Sequence, residues 1–528
     1  MPCGRLPGWE AATRHTRPWA RRRQRREGPP GRGEVCHDAG VRTPTGGPPR
    51  APRAWLAAVS AGYFLVQVLW MRAVPLGWDE TVYASQFDPR RPALEFSAPR
   101  ARGVSLVVAP VELVTGSPMA LRVALALLTS AGLFAAYAVW LRLRPDASVP
   151  LAALLSVLPW PALMYGSEAM PNVYVALGAV AATGWFAVGA QAERPLRPLA
   201  LAAALVAFVT LVRPGDTAPV VAALAVASVV VPGWRGRRRA LLLTLAGGAL
   251  AGALPWVVEA FLRYSDVLTR ARRALAAQST NERFVPDYEL RALAGPRLCR
   301  PCSHAMAVPL SGLLWWVAGA VLVVGGLWLA RREHRRLAAW LPAWVGAASG
   351  APYLLLVGYA APRFMLPMYA LLALPAAQAL RALAVAPKRR AARLGVVSAL
   401  VLGLLAHGAA QLSVLGTVAQ QQVDEHARYA AAAADLRRLG VRAPCTLLGV
   451  SATPIAYAAG CDAVRVAHYP GDEDFTEADL RDVQRQQSVA LIAPANGPRE
   501  PWARGWTRVP SSHTPHVRGV VYLAPEGH

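Results

Sequence analysis

The chain has 528 residues, 54% of them hydrophobic and only 16% charged, with a mean hydropathy of +0.30. Soluble domains carry about 25% charged residues, so this composition excludes an ordinary soluble globule and points to a polytopic membrane protein. The balance of 56 basic against 31 acidic residues would suggest nucleic acid in a soluble chain. Here most of the excess falls in short runs between apolar segments and no aromatic-basic module accompanies it, which argues against nucleic acid as a partner.

Residues 1–53 are rich in Arg, Pro and Gly and nearly free of large apolar side chains. They cannot bury enough surface to fold, and the expectation is a disordered basic tail. They lack the apolar core of a secretory signal.

From there a span needs about 20 apolar residues. Eleven segments qualify: 55–72, 119–141, 149–165, 171–190, 199–212, 218–231, 240–262, 306–330, 338–359, 364–385 and 394–414. The fifth and sixth are short and separated only by "RPGD", which predicts a tight hairpin. The segment 103–114, "GVSLVVAPVELV", has about a dozen apolar residues with Pro110 and Glu112 among them. It suits an interfacial piece better than a span.

With eleven spans and a cytoplasmic N-terminus, the inside loops hold Arg142 and Arg144, Arg194 and Arg197, and Arg235 through Arg239. They also hold Arg331, Arg332, Arg335 and Arg336, then Lys388, Arg389, Arg390 and Arg393. Counting 103–114 as a span would reverse that placement, so the positive-inside rule favours the interfacial reading. The outside loop 263–305 opposes it with eight arginines, and it either weakens the topology or marks an anion site. The expected organisation is a membrane domain over 54–415 with outside loops 73–118 and 263–305, then a soluble segment over 420–528.

That last segment alternates helix and strand patterns. "DEHARYAAAAADLRRLGV" reads as an Ala-rich helix, "CTLLGV" and "DAVRVA" as strands around the helical "TPIAYAAG", and "LRDVQRQQ" as a helix before the strand "SVALIAPA". With "GVVYLAP" as a last strand, this predicts a small α/β domain outside the cytoplasm. Disulfides persist there, so Cys445 and Cys461 are a candidate pair. Cys299 and Cys302 form "CRPC", and without a second pair or histidine spacing this is weak evidence for zinc.

Two places carry candidate chemistry. "VPLGWDETVYASQFDPRRP", residues 74–92, sets Asp79 and Glu80 directly after the first span. Trp78 and Tyr83 flank them as members of an interfacial aromatic belt, and the apolar segment that follows could roof a cavity. "LPWPALMYGSEAMPNVYVALG" places Glu168 after the third span, on the same side. Carboxylates converging there could act as a base on a hydroxyl or amine, or bind a divalent metal; solvated helix-end charges are the plain alternative.

The order of these features resembles the GT-C membrane glycosyltransferases, in the branch of the protein O-mannosyltransferases and the aminoarabinose transferase, glycosyltransferase family 39-like. "APRFMLPMYALLALPA", residues 361–376, is similar to that branch's Arg-Tyr-x-Leu-Pro segment, with Phe364 in place of tyrosine. "FVTLVRPGDTAPVVAALA" resembles its Arg-Pro turn, although Arg213 could simply anchor a helix end. The resemblance covers about 54–415 and implies a transferase moving a sugar from a polyprenyl-phosphate donor to a glycan, lipid or protein acceptor. It implies Asp79 as base or acceptor-orienting acid, Glu80 in support, and Glu168 in the second acidic position. Arg102, Arg270, Arg272, Arg273 and Arg363 become candidates for the donor phosphate, since guanidinium matches phosphate oxygens in a bidentate way. The implied protein is an all-α polytopic plasma-membrane enzyme of about 11 spans with a C-terminal α/β domain outside. The competing reading is a transporter or flippase for an anionic lipid or polymer; transporters place charges within broken helices at the midplane, whereas these spans are nearly free of charge.

Overall fold

The structure is a computed structural model that describes residues 50–278, 286–293, 298–299, 310–333, 336–464, 477–495 and 500–525. The remainder of the N-terminal tail, together with Arg283 and Cys302, lies outside the described residues.

The first span is α1, Arg50–Met71, and the loop after it carries α2, Trp78–Ser85, and α3, Gly103–Glu112. At ten residues α3 is about 15 Å long, half the hydrocarbon thickness of a bilayer, so it does not cross. Its two faces differ: Val104 and Val108 are buried while Leu106 and Leu113 beside them face outward. Span two is α4, Pro118–Ala138, extended by α5, Trp140–Leu143.

Span three is split into α6, Ser148–Val157, and α7, Trp160–Tyr165. Pro159 sits extended at the break, and Pro161 follows in the first turn of α7, where a missing amide costs nothing. The amide freed at Trp160 donates to Gln411 Oε1 at 2.8 Å. Then come α8, Pro171–Gln191, the hairpin α9, Leu196–Val212, with α10, Pro214–Val230, and α11, Arg238–Arg263. Gly248 and Gly252 of α11 lie one turn apart against α9, where an added Cβ would meet the Ala203 and Ala207 carbonyl oxygens at 2.5 and 2.1 Å. Small residues let helix backbones approach closely where lipid leaves no hydrophobic drive between helices.

The second long loop contributes α12, Val267–Ala277, and α13, Pro286–Ala292. The remaining spans are α14, Leu310–Arg332, α15, Leu337–Leu355, α16, Leu366–Val385, and α17, Arg390–Arg438. Each of the eleven expected segments thus falls on a helix. Seven helices are long and apolar enough to cross a membrane, and α6–α7, α9, α10 and α15 complete the set as shorter or broken members. The protein is a multi-pass, all-α membrane protein.

One boundary differs from expectation. The Ala-rich helix is not separate from the last span; α17 runs unbroken for 49 residues, about 74 Å. No proline interrupts it, and its second half is built of strong helix formers. Beyond it lie β1, Cys445–Gly449, α18, Ala452–Ala459, β2, Asp462–Val464, α19, Glu477–Gln484, β3, Ser488–Ala493, β4, Thr507–Arg508, and β5, Val520–Leu523. The sheet order is β2-β1-β3-β5-β4, with β1 parallel to β2 and β3, and β5 antiparallel to β3 and β4. The short β4 has no counterpart in the sequence reading. Cys445 and Cys461 are disulfide-bonded, joining the start of β1 to the entry of β2.

The α/β domain rests on the membrane domain through the end of α18. Its last carbonyls, which have no partner within the helix, accept hydrogen bonds from two arginines. Arg91 of the first loop donates to the Tyr457 carbonyl and stacks 4.4 Å over its ring, and Arg437 of α17 donates to the Ala458 carbonyl at 2.9 Å.

Candidate active site

The side chains of interest gather at one end of the bundle, and the connectivity requires it. Asp79 follows span one, Tyr165 and Glu168 follow span three, and Arg213 lies between spans five and six. Arg363 lies between spans nine and ten, and Gln422 beyond span eleven. All are odd-to-even junctions, which share a side only if α3 does not cross. The opposite end has its own charge cluster, in which Asp146 pairs with Arg144 at 3.0 Å and Arg381 at 3.5 Å, and Arg144 with Glu333 at 3.1 Å.

Helix α2 opens at Gly77 with both acids in its first turn, where the helix dipole favours negative charge. Successive residues on a helix point about 100° apart, so the two acids enter different surroundings.

Glu80 turns inward and is 1% exposed. It forms a bidentate pair with Arg122 of α4, at 2.5 and 2.7 Å, and accepts from the amides of Gly77 at 2.8 Å and Ala169 at 2.7 Å. Gln422 of α17 donates to it at 3.3 Å. Arg122 also donates to the carbonyls of Val74, Pro75 and Ser167. This buried hub fastens the first loop, α4, the turn after α7 and α17 to one another. Glu168 is buried beside the hub as an electrostatic partner of Arg122.

Asp79 turns the other way and keeps 37% of its side chain exposed. Arg100 donates to Oδ1 at 2.7 Å, and Arg363 reaches Oδ2 at 3.5 Å and the Tyr165 hydroxyl at 3.3 Å. Burial pushes the Asp79 carboxyl up, but the guanidiniums of Arg100, Arg363 and Arg213 outweigh it and hold the group below its ordinary range. Arg213 caps α10, pairs with Asp216 at 3.3 Å, and lies 5.3 Å from the Phe364 ring centre. Arg363 lies 5.3 Å from the same ring, so Phe364 is flanked by two guanidiniums and stacks on Tyr353 at 4.6 Å. A buried phenol at this position would need its own partner; a phenyl ring does not. Three arginines against Asp79 and Asp216 leave the cluster with an excess positive charge, which suits an anion.

The other candidate arginines are placed differently. Arg102 and Arg270 share one carboxylate, Glu259 of α11, with Arg102 Nε at 3.0 Å from Oε1 and Arg270 Nη2 at 3.0 Å from Oε2. Arg102 also donates to Gln86 and stacks 3.9 Å from the Phe96 ring. Arg270 is wholly buried and donates to the carbonyls of Ala98, Arg100 and Trp256. It thereby holds the backbone that presents Arg100 to Asp79. Arg272 is exposed on α12, and Arg273 packs over Tyr264 at 5.5 Å. Tyr83 is buried against Phe96 rather than standing in an aromatic belt, while Trp78 keeps 37% exposure.

Sequence reasoning missed Arg100, two positions from the chosen Arg102 in "APRAR", and Glu289 of α13, a buried carboxyl electrostatically coupled to Arg363. Nothing in the spacing separates Arg100 from Arg102. Among the described residues no group of three or more His, Cys, Asp or Glu could hold a metal ion. The guanidiniums around Asp79 do not suit a divalent cation either.

This arrangement of helices, with an acid on a short helix after the first span, has the GT-C fold. The aminoarabinose transferase ArnT from Cupriavidus metallidurans, in its structure bound to undecaprenyl phosphate, is similar with a TM-score of 0.62 at 14% identity, over 89% of this chain and 98% of ArnT. The archaeal oligosaccharyltransferase AglB from Archaeoglobus fulgidus, in complex with an inhibitory peptide and a dolichol-phosphate, has a TM-score of 0.50 at 14% identity, over 84% of this chain and 70% of AglB. No protein-family model and no curated protein matches the sequence.

Proposed function

We propose that the protein is a membrane glycosyltransferase that moves a sugar from a polyprenyl-phosphate donor to an acceptor outside the cytoplasm. One observation carries this reading. Asp79, partly open to solvent, is held among Arg100, Arg213 and Arg363 at one end of an apolar GT-C bundle. ArnT bound to undecaprenyl phosphate and AglB with a dolichol-phosphate support a lipid phosphate as the donor's carrier.

The chemistry follows from the charges. An acceptor hydroxyl or amine attacks the anomeric carbon as the bond to the phosphate oxygen breaks, in a single inverting step. The phosphate leaves as an anion, so it needs cations near it rather than a strong acid, and Arg100 and Arg363 provide them. A carboxylate held below its ordinary range is ionised but a weak base. Asp79 therefore orients the acceptor by accepting its hydrogen bond, and takes the proton late, as the new bond forms. In this scheme the Asp79 end faces outward, the N-terminus is cytoplasmic, and the α/β domain lies outside the plasma membrane beside the site.

Asp79→Asn in the purified protein, assayed with a polyprenyl-phosphate sugar, should lower kcat by roughly 10²–10⁴-fold with insertion and monodispersity intact. Retained activity would remove Asp79 from the reaction. Mass spectrometry of lipid-linked sugars and envelope glycans in a deletion strain would identify the sugar and its acceptor.

A further inference from the structure

Helix α2, which carries Asp79, has only eight residues, and Gly77 caps it without a side-chain hydrogen bond. Its first turn is therefore set by groups from elsewhere in the chain. One of them comes from far along the sequence. Gln422 of α17 is 1% exposed, and its Nε2 donates to the Pro75 carbonyl at 2.7 Å and to Glu80 Oε2 at 3.3 Å. The same side chain packs over Gly77, where an added Cβ would lie 3.4 Å from Nε2. A single amide thus meets the backbone or side chains of Pro75, Gly77 and Glu80, on either side of Asp79 in the sequence.

The face of α17 that bears Gln422 is itself fixed. Gln411, Leu415, Val418 and Gln422 follow the i, i+4, i+7 rhythm of one helix face. Leu415 and Val418 are buried, and Gln411 accepts the Trp160 amide at 2.8 Å where span three is broken. The two glutamines therefore hold α17 against α7 and α2, the helices that present Tyr165 and Asp79.

We infer that Gln422 is a positioning residue of the site: it fixes the start of α2 through Pro75, Gly77 and Glu80, and so sets where Asp79 meets the acceptor. The acceptor part of this statement rests on the function proposed above. Gln422 acts through α2 rather than on the reacting atoms.

The hydrogen bonds that remain without Gln422 separate this role from support of the fold. Arg122 donates to the Pro75 carbonyl at 2.8 Å and to Glu80 Oε2 at 2.7 Å. Neither acceptor is left unpaired when Gln422 is replaced, so little stability is at stake. What is lost is the contact from α17 to the turn.

The test uses the full chain in detergent. Gln422→Met nearly keeps the volume against Gly77 and removes the donor. Its melting midpoint should stay within about 2 °C of native, and its affinity for undecaprenyl phosphate within about twofold, because Arg100 and Arg363 are untouched. With the lipid-linked sugar and acceptor identified in the deletion strain, kcat should fall about tenfold or more, since a small misplacement of a reacting group is costly. Native kcat would overturn the assignment, as would a loss of lipid-phosphate binding in step with kcat. Hydrogen exchange in the ligand-free protein provides a readout that needs no substrate. Exchange over 77–83 should quicken in the methionine variant while exchange in α4 stays native. Unchanged exchange over 77–83 also overturns the assignment, and so does quickening throughout the bundle, which would make Gln422 a support of the fold alone. If the native chain transfers no sugar, the proposed function falls, and the exchange data still decide whether Gln422 holds α2.

Discussion

Adjacent residues of one sequence pair, Asp79 and Glu80, have divided the work between them. Glu80 is enclosed with Arg122, and a buried ion pair of this kind is costly to break from one side, on the order of 3–5 kcal/mol, because the other charge is left without compensation. Glu80→Ala should therefore lower the thermal midpoint and yield poorly inserted protein, whereas Asp79→Asn should keep the native midpoint and lose turnover. Melting curves of the two purified variants check this contrast. The arginines divide in the same way. Arg100→Ala and Arg363→Ala should raise KM for the lipid donor by about tenfold or more, while Arg272→Ala on the exposed face of α12 should leave kinetics within twofold. Equal effects from all three would remove the distinction between the Asp79 cluster and the surface. The acid pair was visible in the sequence because charges beside an apolar run stand out. Which acid stays partly open to solvent was not, since that depends on Arg122, 42 positions away.

At the scale of elements, the apolar segments were legible because each must satisfy its backbone internally, and only helices of sufficient length do so in lipid. The break in span three was written in "LPWP". The continuity of α17 into the soluble region was not legible, because hydropathy falls where helix propensity does not. Helix α3 bears a further consequence. Its terminal Glu112 is buried, with Asp88, Arg90 and Arg91 as the charges facing it and Arg90 Nη2 4.0 Å from Oε2. Burial first, then the like charge of Asp88, push its carboxyl up to about 7 from an ordinary 4.5. The folded protein therefore binds a proton that the unfolded chain releases between those values, and this group's contribution to stability falls as pH rises from 4.5 to 7. Glu112→Gln should flatten that dependence, so that the drop in melting temperature between pH 5 and pH 8 shrinks by a few degrees (about 1 °C per kcal/mol for a chain of this size). An unchanged pH profile in the glutamine variant would refute it.

For the whole molecule, the alternation of sides is the strongest constraint, since residues from six separate junctions meet at one end only with an uncrossed α3. Reporter fusions after Gln420 and within 386–389 should fall on opposite sides of the membrane, the former outside; a cytoplasmic signal after Gln420 would invert the proposed orientation and move the Asp79 cluster to the inner face. The fold class was legible from composition and span count, and the C-terminal sheet from its alternating pattern. The cluster itself was only half legible. Asp79, Arg213 and Arg363 lay in motif-like stretches, whereas Arg100 and Glu289 owe their places to packing between distant loops.

The unbroken α17 makes the angular phase of the outer domain a mechanical property of the chain. Each inserted residue turns everything beyond it by about 100° and lifts it 1.5 Å. One alanine placed after Arg428 would swing Arg437 and α18 away from Arg91, although no residue at the Asp79 cluster had changed. Eleven alanines, close to three full turns, would bring the domain back into phase but raise it about 16 Å. A helix acting as a spacer tolerates both insertions; one acting as a torsion shaft for the first outer loop tolerates neither.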